Sequence, residues 1–191
     1  MSIPGTLQRM ITALDQAGIP YMLTGSFASA HYAAPRSTQD IDLVIQTTVA
    51  QLRIFCESLS KHEYYVDLDA ALEAHRRLSL FNVIDLSTGW KIDLIFRKTR
   101  PFSQREFSRR QLVDLQGLRL FVASAEDVLI AKLEWARMAG SQRQIEDVAS
   151  ILRLRWEALD KSYVEKWISE LRLQEQWIGA RRTAGLSDTG D

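Results

Sequence analysis

The sequence holds a single cysteine, Cys56, which excludes an internal disulfide. Its neighbours Leu52, Ile54, Phe55 and Leu59 read as the buried side of a helix, so a reduced core thiol is expected. Three histidines, His31, His62 and His75, lie far apart with no second ligand at a recognisable spacing, which speaks against a zinc site. No stretch approaches the roughly 18 apolar residues of a membrane span, and Met1 to Pro20 has no apolar run behind a basic start. A cytoplasmic chain without a membrane partner is therefore expected. Excess charge is also lacking: 24 basic and 24 acidic side chains cancel. That balance excludes a surface that is wholly an electrostatic trap for nucleic acid, while leaving room for a local basic patch. There is no internal repeat or low-complexity tract.

What is present is ordinary globular composition, 46% hydrophobic and 25% charged over 191 residues, enough for one full domain with a small helical annex. Pro4 can open a helix carrying Leu7, Met10, Ile11 and Leu14 at i, i+3, i+4, i+7, closed by Gly18. Tyr21 to Thr24 reads as a strand running into Gly25-Ser26, then a helix over Phe27 to Ala34 ended by Pro35. Ile41 to Ile45 predicts a strand, Val49 to Leu59 a helix, and Leu68 to His75 a shorter helix. Leu78 to Asp85 and Lys91 to Phe96 flank the turn Ser87-Thr88-Gly89 as an antiparallel hairpin. Arg97 to Arg110 reads as a polar stretch, followed by a last strand near Leu118 to Val122. Ser124 with Asp127, and Ser141 with Gln144, fit capping boxes, which predicts three helices. Their apolar sets include Ile145, Val148, Ala149, Leu152 and Val164, Trp167, Ile168, Leu171. The expected class is α/β: a mixed sheet flanked by helices over 1–122, a helical subdomain over 123–178 and a flexible tail over 179–191.

Chemistry concentrates in Asp40-Ile41-Asp42. At strand periodicity the two carboxylates share one face while Ile41, Leu43 and Ile45 point to the core. Like charges about 6–7 Å apart on a strand repel unless a cation intervenes, and Mg²⁺ bound by carboxylates and substrate phosphates answers that need. Asp93, opposite in facing to Ile92, Leu94 and Phe96, is a third acid. Three such groups can hold two ions about 4 Å apart for phosphoryl or nucleotidyl transfer. Gly25-Ser26, a strand-to-helix bend without a side chain at Gly25, suits a phosphate.

Gly25-Ser26, thirteen residues, Asp40-Ile41-Asp42 and the later Asp93 together resemble the nucleotidyltransferase superfamily related to DNA polymerase β. Within it, the segment 36–42, the Lys-x-Asp of Lys91 to Asp93, Lys132 and Asp147 are similar to the small bacterial type that includes the AbiEii and MenT toxins. The resemblance spans about residues 20–155. It implies the nucleotidyltransferase fold and transfer of a nucleoside monophosphate from an NTP, such as ATP, to an acceptor hydroxyl on RNA, tRNA, protein or a small molecule. It implies Mg²⁺ held by Asp40, Asp42 and Asp93, with Asp93 alternatively the base on the hydroxyl. Gly25, Ser26, Arg36, Thr38 and Lys132 would hold nucleotide, Asp147 would orient a catalytic group, and a cognate antitoxin would be a partner. Rival readings are a non-catalytic binding or regulatory member of the same fold, and a small-molecule antibiotic nucleotidyltransferase.

Each signal has a plainer explanation. Ser26 could be a helix N-cap. Alternating acids occur on half-exposed strands, and Lys91 with Asp93 could be a surface pair. Lys132 could snorkel, and Asp147 could pair with Arg143. Arg36 could be an ordinary loop arginine. The cations of 97–110 would commonly form a solvated face, or would steer a polyanion. Trp135, Trp156 and Trp167 are core candidates before they are base-stacking ones.

Overall fold

Leu7, Met10, Ile11 and Leu14 line the buried stripe of α1 (Gly5–Gln16), which ends before Gly18 at φ +65°. The computed structural model describes residues 5–34, 38 and 40–186; Pro4, Pro35, Arg36 and the last residues of the expected tail lie outside them. The chain divides into two units, Met1–Phe27 with Ser37–Ala123, and Ala28–Arg36 with Ser124–Asp191. Residues 28–34 thus group with the helices that follow β7.

The first unit is built on seven strands: β1 (Tyr21–Thr24), β2 (Asp40–Ile45), β3 (Tyr64–Val66), β4 (Leu80–Asp85), β5 (Lys91–Phe96), β6 (Gln111–Leu115) and β7 (Leu118–Val122). Their order is β3-β4-β5-β2-β1-β7-β6. Pairs β2–β5 and β1–β7 are parallel and the others antiparallel, so the sheet is mixed, as expected. Strand alternation sends Ile41, Leu43, Ile45, Ile92, Leu94, Phe96, Phe81 and Val83 to one buried face. Helices α3 (Val49–Ser58) and α4 (Leu68–Arg77) join α1 over this face. His75 of α4 meets the Phe96 ring edge-on at 5.2 Å. Cys56 is buried in α3, and burial pushes its thiol up to about 11. Ile54, expected beside it, is instead exposed because the inward stripe of α3 runs through Leu52, Phe55 and Cys56.

Asp85 is the one acid on the buried sheet face of β4, and its charge is satisfied there. It accepts from Thr6 Oγ1 at 2.5 Å, from Ser87 Oγ at 2.6 Å and from the backbone N–H of Ser87 and Thr88, and it pairs with Arg9. Burial opposes the charge, but these hydrogen bonds outweigh it and hold the carboxyl well below the usual carboxylate range. A depressed acid stabilises the fold above its unfolded pKa, and that contribution fades as pH falls through the folded value. Asp85→Ala, which strands several buried donors, should lose about 3 kcal/mol in urea unfolding at pH 7. The gap to wild type should narrow in strong acid.

β3, α5 and β6 lie where no element was expected. The polar stretch after β5 contains α5 (Pro101–Ser108), with Phe102 and Phe107 buried and Pro101 opening it. Its cations are engaged locally: Arg110 stacks on Phe107 and Phe121, and Arg97 donates to Gln46. An unexpected strand, β6, pairs with β7 through the turn Gln116-Gly117, where both residues have positive φ.

After β7 the described residues form four α-helices rather than three: α6 (Ala125–Ala139), α7 (Gln142–Arg155), α8 (Lys161–Glu170) and α9 (Gln174–Ala184). Helix α9 runs through Gly179, where a flexible tail was expected, because Trp177 and Ala180 are buried three residues apart. Ser124 caps α6 through the Asp127 N–H, but Ser141 makes no side-chain cap on α7, where the Gln144 side chain accepts from Lys132 instead. Trp167 is buried as expected, Trp156 half-buried, and Trp135 exposed.

Candidate active site

β1 ends where the chain must turn from the sheet into α2 (Gly25–Tyr32). Gly25 makes that bend at φ +64°, and a Cβ there would lie 1.9 Å from Asp42 Oδ2. Two constraints therefore meet at one residue: a backbone conformation disfavoured for side chains, and a carboxylate occupying the space a side chain would need. Asp42 reaches this place because Thr24 and Asp42 are register partners across β1 and β2. The first N–H groups of α2 begin here, so the bend combines a helix N-terminus with an acid at its side.

Asp42 is also the register partner of Asp93 across the parallel pair β2–β5, and Asp93 is that of Asn82 across β5–β4. Asn82, Asp93, Asp42 and Thr24 thus form one cross-strand row on the face opposite the buried core. Asp40 and Lys91 are partners in the neighbouring row. The Lys91 ammonium lies between two acids, 3.3 Å from Asp40 Oδ1 and 3.2 Å from Asp93 Oδ2. Asn82 Nδ2 donates to the other oxygen of Asp93 at 2.5 Å. Partial burial lowers the tendency of Lys91 to hold its proton, but the hydrogen bond and charge of Asp93, then of Asp40, more than offset this and raise it above the ordinary lysine value. Asp93 is largely enclosed, its side chain 14% exposed, whereas that of Asp40 is 52% exposed.

The three predicted acids therefore share one sheet face on adjacent strands, but they do not form a ready-made cage. Among the described residues no three His, Cys, Asp or Glu side chains are gathered as a metal-holding group. Asp40 and Asp93 share the Lys91 ammonium, and Asp42 stands against Gly25. The donor set nevertheless suits a hard divalent cation, since it is all carboxylate oxygen, and two of its members already share a positive charge. Asp40, Asp42 and Asp93 are the residues that would hold one.

The remaining predicted residues separate. Thr38 stands at the start of β2, its Oγ1 accepting from the Asp40 N–H at 3.3 Å. Arg36 lies outside the described residues. Lys132 and Asp147 belong to the helical unit, where Lys132 Nζ donates to Asp147 Oδ2 at 2.7 Å and to Gln144 Oε1 at 3.1 Å. Both are largely buried, with side chains 5% and 11% exposed, so Lys132 does not snorkel and Asp147 has a closer cation than Arg143. Lys132→Met would leave the Asp147 charge buried beside an apolar group, and about 3–5 kcal/mol of stability should be lost in urea unfolding. Adding Asp147→Asn removes that charge and should restore most of it. Sequence reasoning missed Asn82 and the bridge from Lys91 to Asp40. Asn82 had one available signal, a polar residue alternating with Phe81 and Val83.

No protein-family model matches the chain, and no curated protein matches it in sequence. Solved structures do match. The solution structure of the antibiotic-resistance factor ANT(2'')-Ia aligns with a TM-score of 0.56 at 14% identity, over 92% of this chain and 94% of that one. An antigenic nucleotidyltransferase-like protein from Paracoccidioides brasiliensis aligns with a TM-score of 0.52 at 17% identity, over 90% of this chain and 89% of the other. The fold is that of the nucleotidyltransferases. A crystal structure of ANT(2'')-Ia with adenylyl-2''-tobramycin shares this nucleotidyltransferase fold, with a TM-score of 0.50 and 15% identity, over 90% of this chain and 97% of that one. Among the described residues of the present chain, no helix is long and apolar enough to cross a membrane.

Proposed function

We propose that the chain is a divalent-metal-dependent nucleotidyltransferase that moves a nucleoside monophosphate from an NTP to an acceptor hydroxyl and releases pyrophosphate. The observation that carries this reading is the carboxylate row: Asp42 and Asp93 in register on β2 and β5, with Asp42 set against the Gly25 bend. Mg²⁺ is the ion such oxygen donors favour, and when bound it supplies charge neutralisation for the phosphates and the attacking oxygen. The chain's own residues do the positioning. The N–H groups at the start of α2 and the absent side chain of Gly25 would let phosphate oxygens approach the backbone, with the Ser26 hydroxyl next in sequence and Thr38 as a further proposed nucleotide contact. Asp93, held by Asn82 and Lys91, would serve as an ion ligand or as the group that takes the hydroxyl proton. Catalysis then comes mainly from orientation and from charge placed in advance. In the helical unit, Lys132 is proposed as a phosphate contact and Asp147 as the residue that orients a catalytic or nucleotide-binding group.

For the acceptor, a small hydroxylated molecule is the first reading, because ANT(2'')-Ia, whose fold this chain shares, is seen with adenylyl-2''-tobramycin. Incubation with labelled ATP, CTP, GTP or UTP and Mg²⁺, in parallel with aminoglycosides, total tRNA and cell extract, tests it. Label transferred to an aminoglycoside supports the small-molecule reading. Label on tRNA, together with growth arrest by the wild type and not by Asp42→Asn, supports the toxin-like reading with an antitoxin partner. No transfer and no metal-dependent NTP binding would overturn the proposal in favour of a non-catalytic member of the fold.

A further inference from the structure

We infer that Lys91 is a resident cation that competes with the divalent ion, so that the nucleotide-free protein binds metal more weakly than its three acids alone would. The inference rests on the proposed metal-dependent reading and concerns how that site is filled. Lys91 begins β5 directly opposite Asp40 and two residues before Asp93, on the same sheet face. A four-carbon stem from this point reaches the space between the two acids, and the ammonium takes one oxygen from each, at 3.3 and 3.2 Å. These are oxygens that an incoming ion would need. An ammonium can donate only to separated acceptors around it, whereas a divalent ion draws carboxylates into one coordination shell. Ion entry must therefore displace the Lys91 ammonium or share the acids with it, and either weakens binding. The second oxygen of Asp93 accepts from Asn82, so both of its oxygens already have a donor before an ion arrives. The consequence is a site that is filled efficiently only when nucleotide phosphates bring further oxygen ligands, which ties ion occupancy to substrate.

The test is a titration of Mn²⁺ into nucleotide-free protein, followed by loss of the free-ion electron paramagnetic resonance signal, for wild type and Lys91→Met. The Lys91→Met chain should bind Mn²⁺ roughly tenfold more tightly, about 1.4 kcal/mol, and gain more in melting temperature on adding Mn²⁺. Lys91→Arg, which keeps a cation, should stay near wild type. Arg97→Gln removes a charge about 20 Å further along the strand by its rise per residue and should change nothing, which separates bridging from general electrostatics. Lys91→Gln serves as the second neutral variant should Lys91→Met not fold. Equal or weaker Mn²⁺ binding by the neutral variants, with wild type binding and Asp42→Asn not binding, overturns this inference alone. Absence of Mn²⁺ binding in folded wild type and variant alike overturns both this inference and the metal-dependent reading.

Discussion

Asp42→Asn is expected to lower nucleotidyl transfer by about 10³-fold or more, the equivalent of about 4 kcal/mol of transition-state stabilisation, while leaving the protein folded. Asp42 stands at the centre of the row, between Thr24 on one strand and Asp93 on the other. Among the described residues, Asp42 is the acid that borders Gly25 and pairs in register with Asp93, so an amide there removes the charge that would link phosphate binding to the ion. Stability should move in the opposite direction. Asp42 and Asp93 are like charges directly opposite on paired strands, an arrangement that destabilises a sheet by up to about 1 kcal/mol. Neutralising one of them should leave urea stability unchanged or raise it by a few tenths to about 1 kcal/mol. Loss of activity with equal or greater stability marks an acid kept for chemistry; loss of both would make Asp42 a structural residue.

Gly25→Ala should be nearly as damaging to activity, with a stability cost added. The new Cβ would stand 1.9 Å from Asp42 Oδ2, 2.6 Å from its Cγ and 2.9 Å from its Cβ, at a backbone φ of +64°. A left-handed conformation costs an ordinary L-residue roughly 1–2 kcal/mol, which urea unfolding will read. The carboxylate must also shift by about 1 Å, a misplacement that can cost about 10²-fold in rate. Gly89, also at positive φ, has nothing within 4 Å of its would-be Cβ. Gly89→Ala should therefore carry only the backbone penalty and keep full activity, which isolates the contribution of the Asp42 contact.

The elements nearest the site were legible because the local pattern and the final burial agree. β1, β2, β4 and β5 alternate or run apolar as strands of a one-sidedly covered sheet do, and their bounds fall close to those expected. The elements missed have several causes. α5 lies in a run rich in arginine, yet Arg100 and Arg110 cover Phe102 and Phe107 with their guanidinium groups, so charge there is packing rather than solvation. β3 is only three residues long, and β6 is an edge strand whose Leu112, Val113 and Leu115 are half-buried or exposed rather than alternating with a buried face. α9 has a glycine in its middle, and only the spacing of Trp177 and Ala180 betrays it. At the site, residue types and spacing pointed to Gly25, Asp40, Asp42 and Asp93. The β2–β5 register, which sets Asp42 against Asp93 and Lys91 against Asp40, is a long-range pairing that no local pattern encodes. The same limit hid the Lys132–Asp147 pair, whose partners stand on successive helices.

The most direct test of the carboxylate row as a cation and nucleotide site is a crystal grown with Mn²⁺ and a non-hydrolysable NTP analogue, measured for anomalous scattering at the manganese edge. The account predicts a manganese peak ligated by Asp42 and at least one of Asp40 and Asp93, with the triphosphate against the Gly25 bend. A triphosphate bound elsewhere, or a row still closed on Lys91 with no manganese beside it, would contradict the account.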